Sequence, residues 1–252
     1  MLNSSSSSNA ERAGSVLLCL GEGGDAGVRL RDLSERLSSP PATIHRTLTA
    51  LCRQGFAEQA GHGVYRLGPA VYALSRRDVG SAALVARWRP ALLELARRFG
   101  HAGFLMRRSG LDIVALHLEV GLSPLQARAR TVGTRYPLGV GPSSICILST
   151  LSLRERNYVL EANAARYRDL GHDVDTIAAM AEQASRDGHA LDMAHFTPDV
   201  GAVAVPLRDR SGDALSGLAM TAPLTFFTPE RTAEVVFLLK QLASSPEEPH
   251  GP

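Results

Sequence analysis

Hydrophobic residues recur at helical spacing in two neighbouring stretches near the start of the chain. The first stripe, at positions i, i+3 and i+7, consists of Leu30, Leu33 and Leu37. The second stripe, at i, i+4 and i+7, consists of Ile44, Leu48 and Leu51. Pro40 and Pro41 separate the two, and because proline lacks a backbone N–H and restricts φ, it can begin a helix but not continue one. The pattern therefore predicts two short amphipathic helices joined by a tight turn.

The exposed face of the second predicted helix carries small, donor-rich and positively charged side chains. At about 100° per residue, the residues that face away from the apolar stripe or flank it are Ala42, Thr43, His45, Arg46, Thr49, Ala50 and Arg53. A surface of this kind suits a helix that lies in the major groove of DNA. The predicted DNA contacts are Thr43, His45, Arg46, Thr49 and Arg53. Because similar helix pairs also occur in domains that bind no DNA, a structural role stays open here.

A short β-hairpin is predicted directly after these helices. Residues 56–59 and 64–67 have the composition of strands, and Gly61-His62-Gly63 provides a turn between them. A helix-turn-helix followed by such a hairpin is a winged helix. His62 at the tip and Arg66 on the returning strand are the predicted contacts to phosphate or to the minor groove, which position the protein without reading sequence.

The first domain is predicted to span residues 9–68. A serine-rich segment, residues 1–8, cannot bury enough apolar surface to order itself and is expected to be a disordered tail. Ser8 and Glu11 fit a capping box for a helix that runs to about Leu20, and residues 21–27 are expected to break that helix.

The motifs of this domain, taken together, resemble the IclR family of bacterial transcriptional regulators. The matching motifs are Arg12-Ala13, Leu30 with Leu33, Pro40-x-Ala42-Thr43-Ile44-His45-Arg46-x-Leu48, Gly55-Phe56 and Tyr65-Arg66-Leu67-Gly68. The chain departs from the family at Ala42, where serine and its hydroxyl contact to DNA are usual, and at Ser38-Ser39, where Gly-Leu is usual. The resemblance covers about residues 10–243. It implies a DNA-binding regulator with a linking helix and a GAF-like effector-binding domain.

The pattern of the remaining chain is first helical, over residues 69–99, and then strand-like. Gly80 is a predicted break in the helical region, which the resemblance assigns to a linking helix that pairs in a dimer; capping of the second domain is the alternative. The strands are predicted at 101–107, 111–118, 126–130, 190–193, 202–207 and 218–221, and the helices at 145–151, 153–165, 176–187 and 229–242. This mixture predicts an α+β domain over residues 100–243, followed by a tail at 244–252.

A glycine-rich bend opens one of these helices and places Ser143 and Ser144 in its first turn. Free backbone N–H groups and the helix dipole favour an anion there; the alternative is that Gly141 and Ser143 only cap the helix. If the pocket of the family is retained, the sheet supplies apolar walls. The predicted effector site consists of Met106, Gly139, Gly141, Ser143, Ser144, Cys146, Asp192, Ala204 and Met220. The expected effector is a small organic acid, aromatic acids included.

Length and composition narrow the class of protein. A chain of 252 residues with 44% hydrophobic and 21% charged residues suits two modest globular domains. The net charge of +2 does not by itself indicate nucleic acid. The cysteines Cys19, Cys52 and Cys146 lack the spacing of a metal site, and the sequence shows no signal segment and no run of about 18 apolar residues. We therefore expect a cytoplasmic protein without metal, cofactor or membrane contact.

An enzyme is the rival class, with Ser143 and Cys146 as candidate nucleophiles. The chain has no Gly-x-Ser-x-Gly elbow, phosphate-binding glycine loop or HExxH motif, so no catalytic residues are assigned. A second alternative, supported by Ala42 and the altered turn, is a protein-interaction or ligand-sensing module with weakened DNA binding. The favoured prediction is a regulator that binds a palindromic double-stranded DNA operator as a homodimer or tetramer and responds to a small-molecule effector.

Overall fold

The computed structural model describes residues 9–123, 131–208 and 214–244. The chain divides into two compact units, Met1–Gly80 and Ser81–Pro252. The helices and strands of the first unit are α1 (Asn9–Gly23), β1 (Val28–Arg29), α2 (Leu30–Arg36), α3 (Pro41–Arg53), β2 (Ala57–Gly61), β3 (Val64–Leu67) and α4 (Pro69–Ser75). The predicted tail at 1–8 and its capping residue Ser8 lie outside the described residues.

Three helices and a small sheet enclose the core of the first unit. The two predicted apolar stripes meet in this core, where Leu33, Ile44 and Leu48 are fully buried and Leu30 and Leu37 lie partly buried at its edge. The strands form an antiparallel sheet in the order β1-β3-β2. The predicted winged helix-turn-helix is thus confirmed. Strand β1 was not predicted, because a strand of two residues is too short to show an alternation of apolar and polar side chains.

Side-chain and backbone hydrogen bonds hold the turn between α2 and α3. Pro41 occupies the first turn of α3, where a backbone N–H would have no partner within the helix. Ser38 adopts the left-handed conformation with a φ of 45°. The hydroxyl of Ser34 donates a hydrogen bond to the carbonyl of Ser39. The N–H of Ser39 in turn donates to the carbonyl of Ser34 at 3.0 Å. These two bonds stabilise the short turn between the helices, although Ser38 stands where glycine is usual in the family.

The first helix is longer than predicted, because α1 continues to Gly23 and does not end at Leu20. The expectation that residues 21–27 break the helix is therefore wrong for 21–23. Gly23 lies very close to β1, since a Cβ atom at Gly23 would be 2.4 Å from Cγ2 of Val28. This close approach explains why glycine is present at a helical position.

The second unit is an α+β domain, as predicted. Its strands are β4 (Ala102–Ser109), β5 (Asp112–Glu119), β6 (Arg135–Pro137), β7 (Ala190–Met193), β8 (Val200–Arg208) and β9 (Ala214–Pro223). Its helices are α5 (Val79–Phe99), α6 (Pro142–Thr150), α7 (Leu153–Asp169), α8 (Val174–Asp187) and α9 (Pro229–Ser244), and α5 begins just before the boundary between the units. The predicted strand at 126–130 and the segment 245–252 lie outside the described residues.

The strands of this unit form one antiparallel sheet in the order β6-β5-β4-β9-β8-β7. Helices α6, α7 and α8 pack on one face of the sheet, and α5 and α9 pack on the other. Because successive side chains of a strand point to opposite faces, Phe104 and Met106 of β4 lie in the first layer and Leu105 lies in the second. The central strands β4, β8 and β9 are therefore buried on both faces.

Other helix boundaries also differ from the prediction. The break between α4 and α5 lies at residues 76–78, and Gly80 is inside α5. Helix α6 begins at Pro142, before the predicted start at Ile145. Gly141 turns the chain into this helix with a φ of 90°, and Pro142 follows in the first turn, where proline is favoured.

Candidate nucleic-acid interface and effector cavity

The exposed face of α3 carries the predicted DNA contacts. His45, Arg46 and Arg53 are exposed, and Thr43 and Thr49 are partly buried. The helix contains no Asp or Glu, so the ionic charge on its surface is positive. A positive, uncrowded helix face can approach the phosphates and base edges of a major groove without repulsion.

Within this face, Thr43 and Arg46 lie together. Nη2 of Arg46 is 3.5 Å from Oγ1 of Thr43, one helical turn earlier. The hydroxyl of Thr49 instead donates a hydrogen bond to the carbonyl of His45 at 2.9 Å. The proton of Thr49 is thus used within the helix, and only its oxygen is left to accept from DNA. Thr43 and Arg46 therefore form one cluster of hydrogen-bonding groups on the exposed face of α3.

The wing places its two predicted contacts in different surroundings. His62 is exposed at the tip of the hairpin between β2 and β3, beside Gly63, whose φ is 70°. Arg66 lies directly opposite Glu58 in the register of the two strands, and its guanidinium donates to the Glu58 carboxylate at 2.6 Å. Sequence reasoning missed Glu58, although the symmetry of the hairpin about His62 pairs positions 58 and 66.

A cavity of about 40 Å³ lies in the second unit, between the sheet and α6. Its lining residues come from four strands, from the first turn of α6 and from the connection between β7 and β8: Phe104, Met106, Pro142, Ser143, Asp192, Thr197, Val200, Ala202, Ala219 and Thr221. The structure thus brings together Met106, Ser143 and Asp192 of the predicted effector site. Thr197 and Thr221 add hydroxyl groups that the sequence did not indicate.

The two serines of α6 have different surroundings. Ser143 is 4% exposed and lines the cavity. Ser144 is buried, and its hydroxyl accepts a hydrogen bond from the N–H of Gly139. The helix begins its own hydrogen bonding with the N–H of Ile145, which donates to the carbonyl of Gly141 at 3.0 Å. Of the two predicted serines, only Ser143 therefore reaches the cavity.

Gly139 and Gly141 shape the chain before α6 and do not line the cavity. Gly139 has a φ of 121°, and a Cβ atom there would be 2.5 Å from the hydroxyl oxygen of Tyr167. That hydroxyl donates to the carbonyl of Leu138, and burial raises the pKa of Tyr167 to about 12. The tyrosine thus remains a hydrogen-bond donor and holds the approach to α6 in place.

Asp192 supplies a buried carboxylate to the cavity wall. The residue is 3% exposed. Its Oδ1 accepts the backbone N–H of His195 at 2.8 Å and that of Phe196 at 3.3 Å. These bonds offset the cost of burying a charge and anchor the first residues after β7.

The remaining predicted effector residues lie away from the cavity. Met220 packs on the opposite face of the sheet, in the core with α5 and α9, and only its neighbours Ala219 and Thr221 face the cavity. The expectation that Met220 forms a cavity wall is therefore corrected. Ala204 lies on the correct face, but its carbonyl accepts the thiol of Cys146 at 3.1 Å. Both residues belong to the packed core beside α6.

Cys146 is unsuited to nucleophilic chemistry. The side chain is fully buried, and burial raises the pKa of its thiol far above the ordinary value. Since the thiolate is the reactive form, the thiol stays protonated at neutral pH. In the described parts of the chain, no group of three His, Cys, Asp or Glu side chains is arranged to hold a metal ion, and no helix there is long and apolar enough to cross a membrane.

Comparison with known proteins places this architecture in a family. Residues 9–61 match the IclR helix-turn-helix domain, and residues 76–248 match the domain described as bacterial transcriptional regulator IclR C-terminal. The chain belongs to the IclR family. As a member of this family, it is a transcriptional regulator with a helix-turn-helix DNA-binding domain.

Individual IclR proteins are similar over most of their length. The HTH-type transcriptional regulator BhcR of Paracoccus denitrificans (strain Pd 1222) is 27% identical over 205 residues, which cover 79% of this chain and 72% of the relative. The IclR regulator of Alicyclobacillus acidocaldarius has the same fold, with a TM-score of 0.77, 20% identity and coverage of 95% and 97% of the two chains. An IclR homologue of Microbacterium hydrocarbonoxydans, crystallised with 4-hydroxybenzoate, has a TM-score of 0.70, 20% identity and coverage of 92% and 95%.

Proposed function

We propose that a small organic acid, bound in the cavity beneath α6, controls the binding of this IclR regulator to its DNA operator. The observation that carries the proposal is the position of Ser143, whose buried side chain lines the cavity in the first turn of α6. The backbone N–H groups of this turn precede the first hydrogen bond of the helix. A hydroxyl and free N–H groups at the positive end of a helix dipole suit a carboxylate.

The rest of the cavity favours a particular orientation of this acid. Phe104 and Met106 offer apolar surface, and Asp192 offers a carboxylate that accepts hydrogen bonds. The effector carboxylate is therefore expected at Ser143, away from the like charge of Asp192, and a hydroxyl of the effector at Asp192. The homologue from Microbacterium hydrocarbonoxydans, which binds 4-hydroxybenzoate, supports an effector of this class.

We assign DNA binding to residues 9–68, linkage between subunits to residues 69–99 and effector binding to residues 100–243. A single winged helix offers few contacts, and symmetric assembly doubles them, so the regulator acts as a homodimer or tetramer on a palindromic operator. The residues proposed to contact DNA are Thr43, His45, Arg46, Thr49 and Arg53 from α3 and His62 and Arg66 from the wing. The ion pair of Arg66 with Glu58 favours one other candidate function, a ligand-sensing module with weak DNA binding.

Thermal unfolding in the presence of a panel of small carboxylates tests the effector proposal. An effector that binds the folded state raises the melting temperature. The Ser143→Ala variant is expected to lose about tenfold in affinity, the equivalent of one hydrogen bond to a charged group. Ser149→Ala is the matched control, because Ser149 lies on α6 and its hydroxyl donates to the carbonyl of Cys146. Equal shifts in all three proteins would place the effector elsewhere.

DNA binding is tested separately by fluorescence anisotropy on operator and random DNA at low and high salt. A regulator should retain a preference for its operator when salt removes the non-specific binding. Binding that vanishes on both sequences at moderate salt would instead favour the ligand-sensing alternative.

A further inference from the structure

The connection between β7 and β8, residues 194–199, forms part of the wall of the effector cavity. Among the described residues that line the cavity, Thr197 is the only one outside a helix or strand. Thr197, Pro198 and Asp199 are exposed, so this part of the wall lies at the protein surface. The other walls belong to strands of the sheet and to the buried first turn of α6.

The cavity is too small for an organic acid in this arrangement. A volume of about 40 Å³ holds only a few water molecules, whereas a small acid with several non-hydrogen atoms needs more space. One wall must therefore move before an effector can bind. The connection 194–199 is the wall that lies outside the helices and strands, so it can move at the cost of fewer backbone hydrogen bonds than the sheet or α6.

The backbone of this connection adopts the left-handed conformation at both ends. Ala194 has a φ of 66° and Asp199 has a φ of 61°. Aspartate adopts this conformation more readily than alanine, so the strain lies at Ala194, and such strain persists only where surrounding contacts maintain it. The closed arrangement is thus held by contacts of the connection with its neighbours.

Those contacts come from Asp192 and His172 around His195 and Phe196, and from the N–H of Leu224, which donates to the carbonyl of Asp199 at 2.8 Å. The Asp192 carboxylate accepts the N–H groups of His195 and Phe196. The ring of His172, in the loop between α7 and α8, lies with its centroid 5.6 Å from that of His195 and 5.0 Å from that of Phe196. His195 and Phe196 are themselves 4.8 Å apart in an edge-to-face arrangement.

We propose that residues 194–199 are a lid over the effector cavity and that the packing of His172 against His195 and Phe196 is the latch that keeps the lid closed. The effector enters when this latch separates, and the lid closes over it afterwards. This proposal rests on the proposed function, because it takes the cavity as the effector site.

Hydrogen exchange of the full chain without ligand tests the latch. In His172→Ala, the backbone N–H groups of residues 194–197 and of Asp199 are expected to exchange about two- to tenfold faster, the range that one aromatic contact supplies. His172→Phe, which keeps an aromatic ring, should restore the slow exchange. His189→Ala is the control, since His189 contacts the carbonyl of Asp187 and lies outside the latch. Unchanged exchange in His172→Ala, or an equal increase throughout β8, would overturn the proposal.

Binding of benzoate, followed by ligand NMR, separates the lid from the effector site. Faster association and dissociation of benzoate in His172→Ala than in the wild type, with rates restored in His172→Phe, supports the lid. Benzoate that binds in a Ser143-dependent manner, with the same rates in all variants, overturns the lid and leaves the effector site intact. Locally faster exchange in His172→Ala, with no binding of benzoate or other carboxylates, supports the lid and counts against the proposed function.

Discussion

Arg66 and Glu58 face each other across the two strands of the wing, with guanidinium nitrogen and carboxylate oxygen 2.6 Å apart. The wing therefore presents less positive charge than its sequence indicates. An arginine that is bound to a carboxylate must exchange that partner for phosphate before it can contribute to DNA binding, and the Glu58 carboxylate repels the same phosphate.

The first prediction concerns this pair. Glu58→Gln should strengthen binding to all DNA sequences alike, because it releases Arg66 and removes a negative charge. Arg66→Ala and His62→Ala should weaken binding to all sequences alike and lower the slope of log affinity against log salt by about one unit per lost phosphate contact. Anisotropy titrations at several salt concentrations measure both effects. A change of base preference in Arg66→Ala, with an unaltered slope, would show that Arg66 has a different role.

The second prediction concerns the recognition helix. Arg46→Ala should weaken binding by about 1–3 kcal/mol, and the loss should depend on base sequence if Arg46 contacts a base edge. Arg186→Ala, on α8 of the second unit, is the control for a general loss of positive charge. Footprinting on operator variants measures the effect. An Arg46→Ala protein with an unchanged footprint would contradict the assignment.

The third prediction concerns assembly. The protein should be a dimer or tetramer at micromolar concentration, both free and on DNA, because symmetric half-sites need symmetric subunits. Light scattering coupled to gel filtration measures the mass. Observation of a monomer in both conditions would refute the proposed assembly.

The fourth prediction concerns the approach to α6. Gly139→Ala places a Cβ atom against the Tyr167 hydroxyl and forces alanine into a φ of 121°. Gly133→Ala is a matched control, since Gly133 has a φ of 89° and open space around it. Urea unfolding should show Gly139→Ala to be less stable than this control by about 1–3 kcal/mol, the usual cost of overpacking. Equal losses in the two variants would mean that only backbone strain acts at Gly139.

The fifth prediction concerns pH. Burial and then the neighbouring His195 lower the pKa of His172, whereas Asp192 raises it. Because the folded state holds the lower pKa, the unfolded state binds more protons as the pH falls below about 6.5, and His172 then reduces stability. This effect is absent well above that pH. The melting temperature of His172→Phe, relative to the wild type, should therefore increase from pH 8 to pH 5.5. A difference that is independent of pH, or equally present in His189→Phe, would exclude this role.

The sequence alone determined the helix-turn-helix, the wing and the α+β class of the second unit. These features depend on local signals: apolar spacing of three to four residues in a helix, alternation in a half-buried strand, and proline or glycine at the turns. The stripe with Ile44 and Leu48 also indicated which face of α3 is exposed, since a helix with one apolar side has only one way to bury it.

Only the tertiary structure decided which of the predicted effector residues lie together at the cavity. Strands β8 and β9 are covered on both faces, so their apolar residues run almost continuously and do not show which side chains face α6. The sequence therefore could not show on which face of the sheet the side chain of Met220 lies. Ser143 and Ser144 are neighbours in one helix turn, and only the packing of Gly139 against Tyr167 directs Ser144 to the backbone and leaves Ser143 at the cavity. Long-range contacts of this kind leave no periodic signal in the sequence.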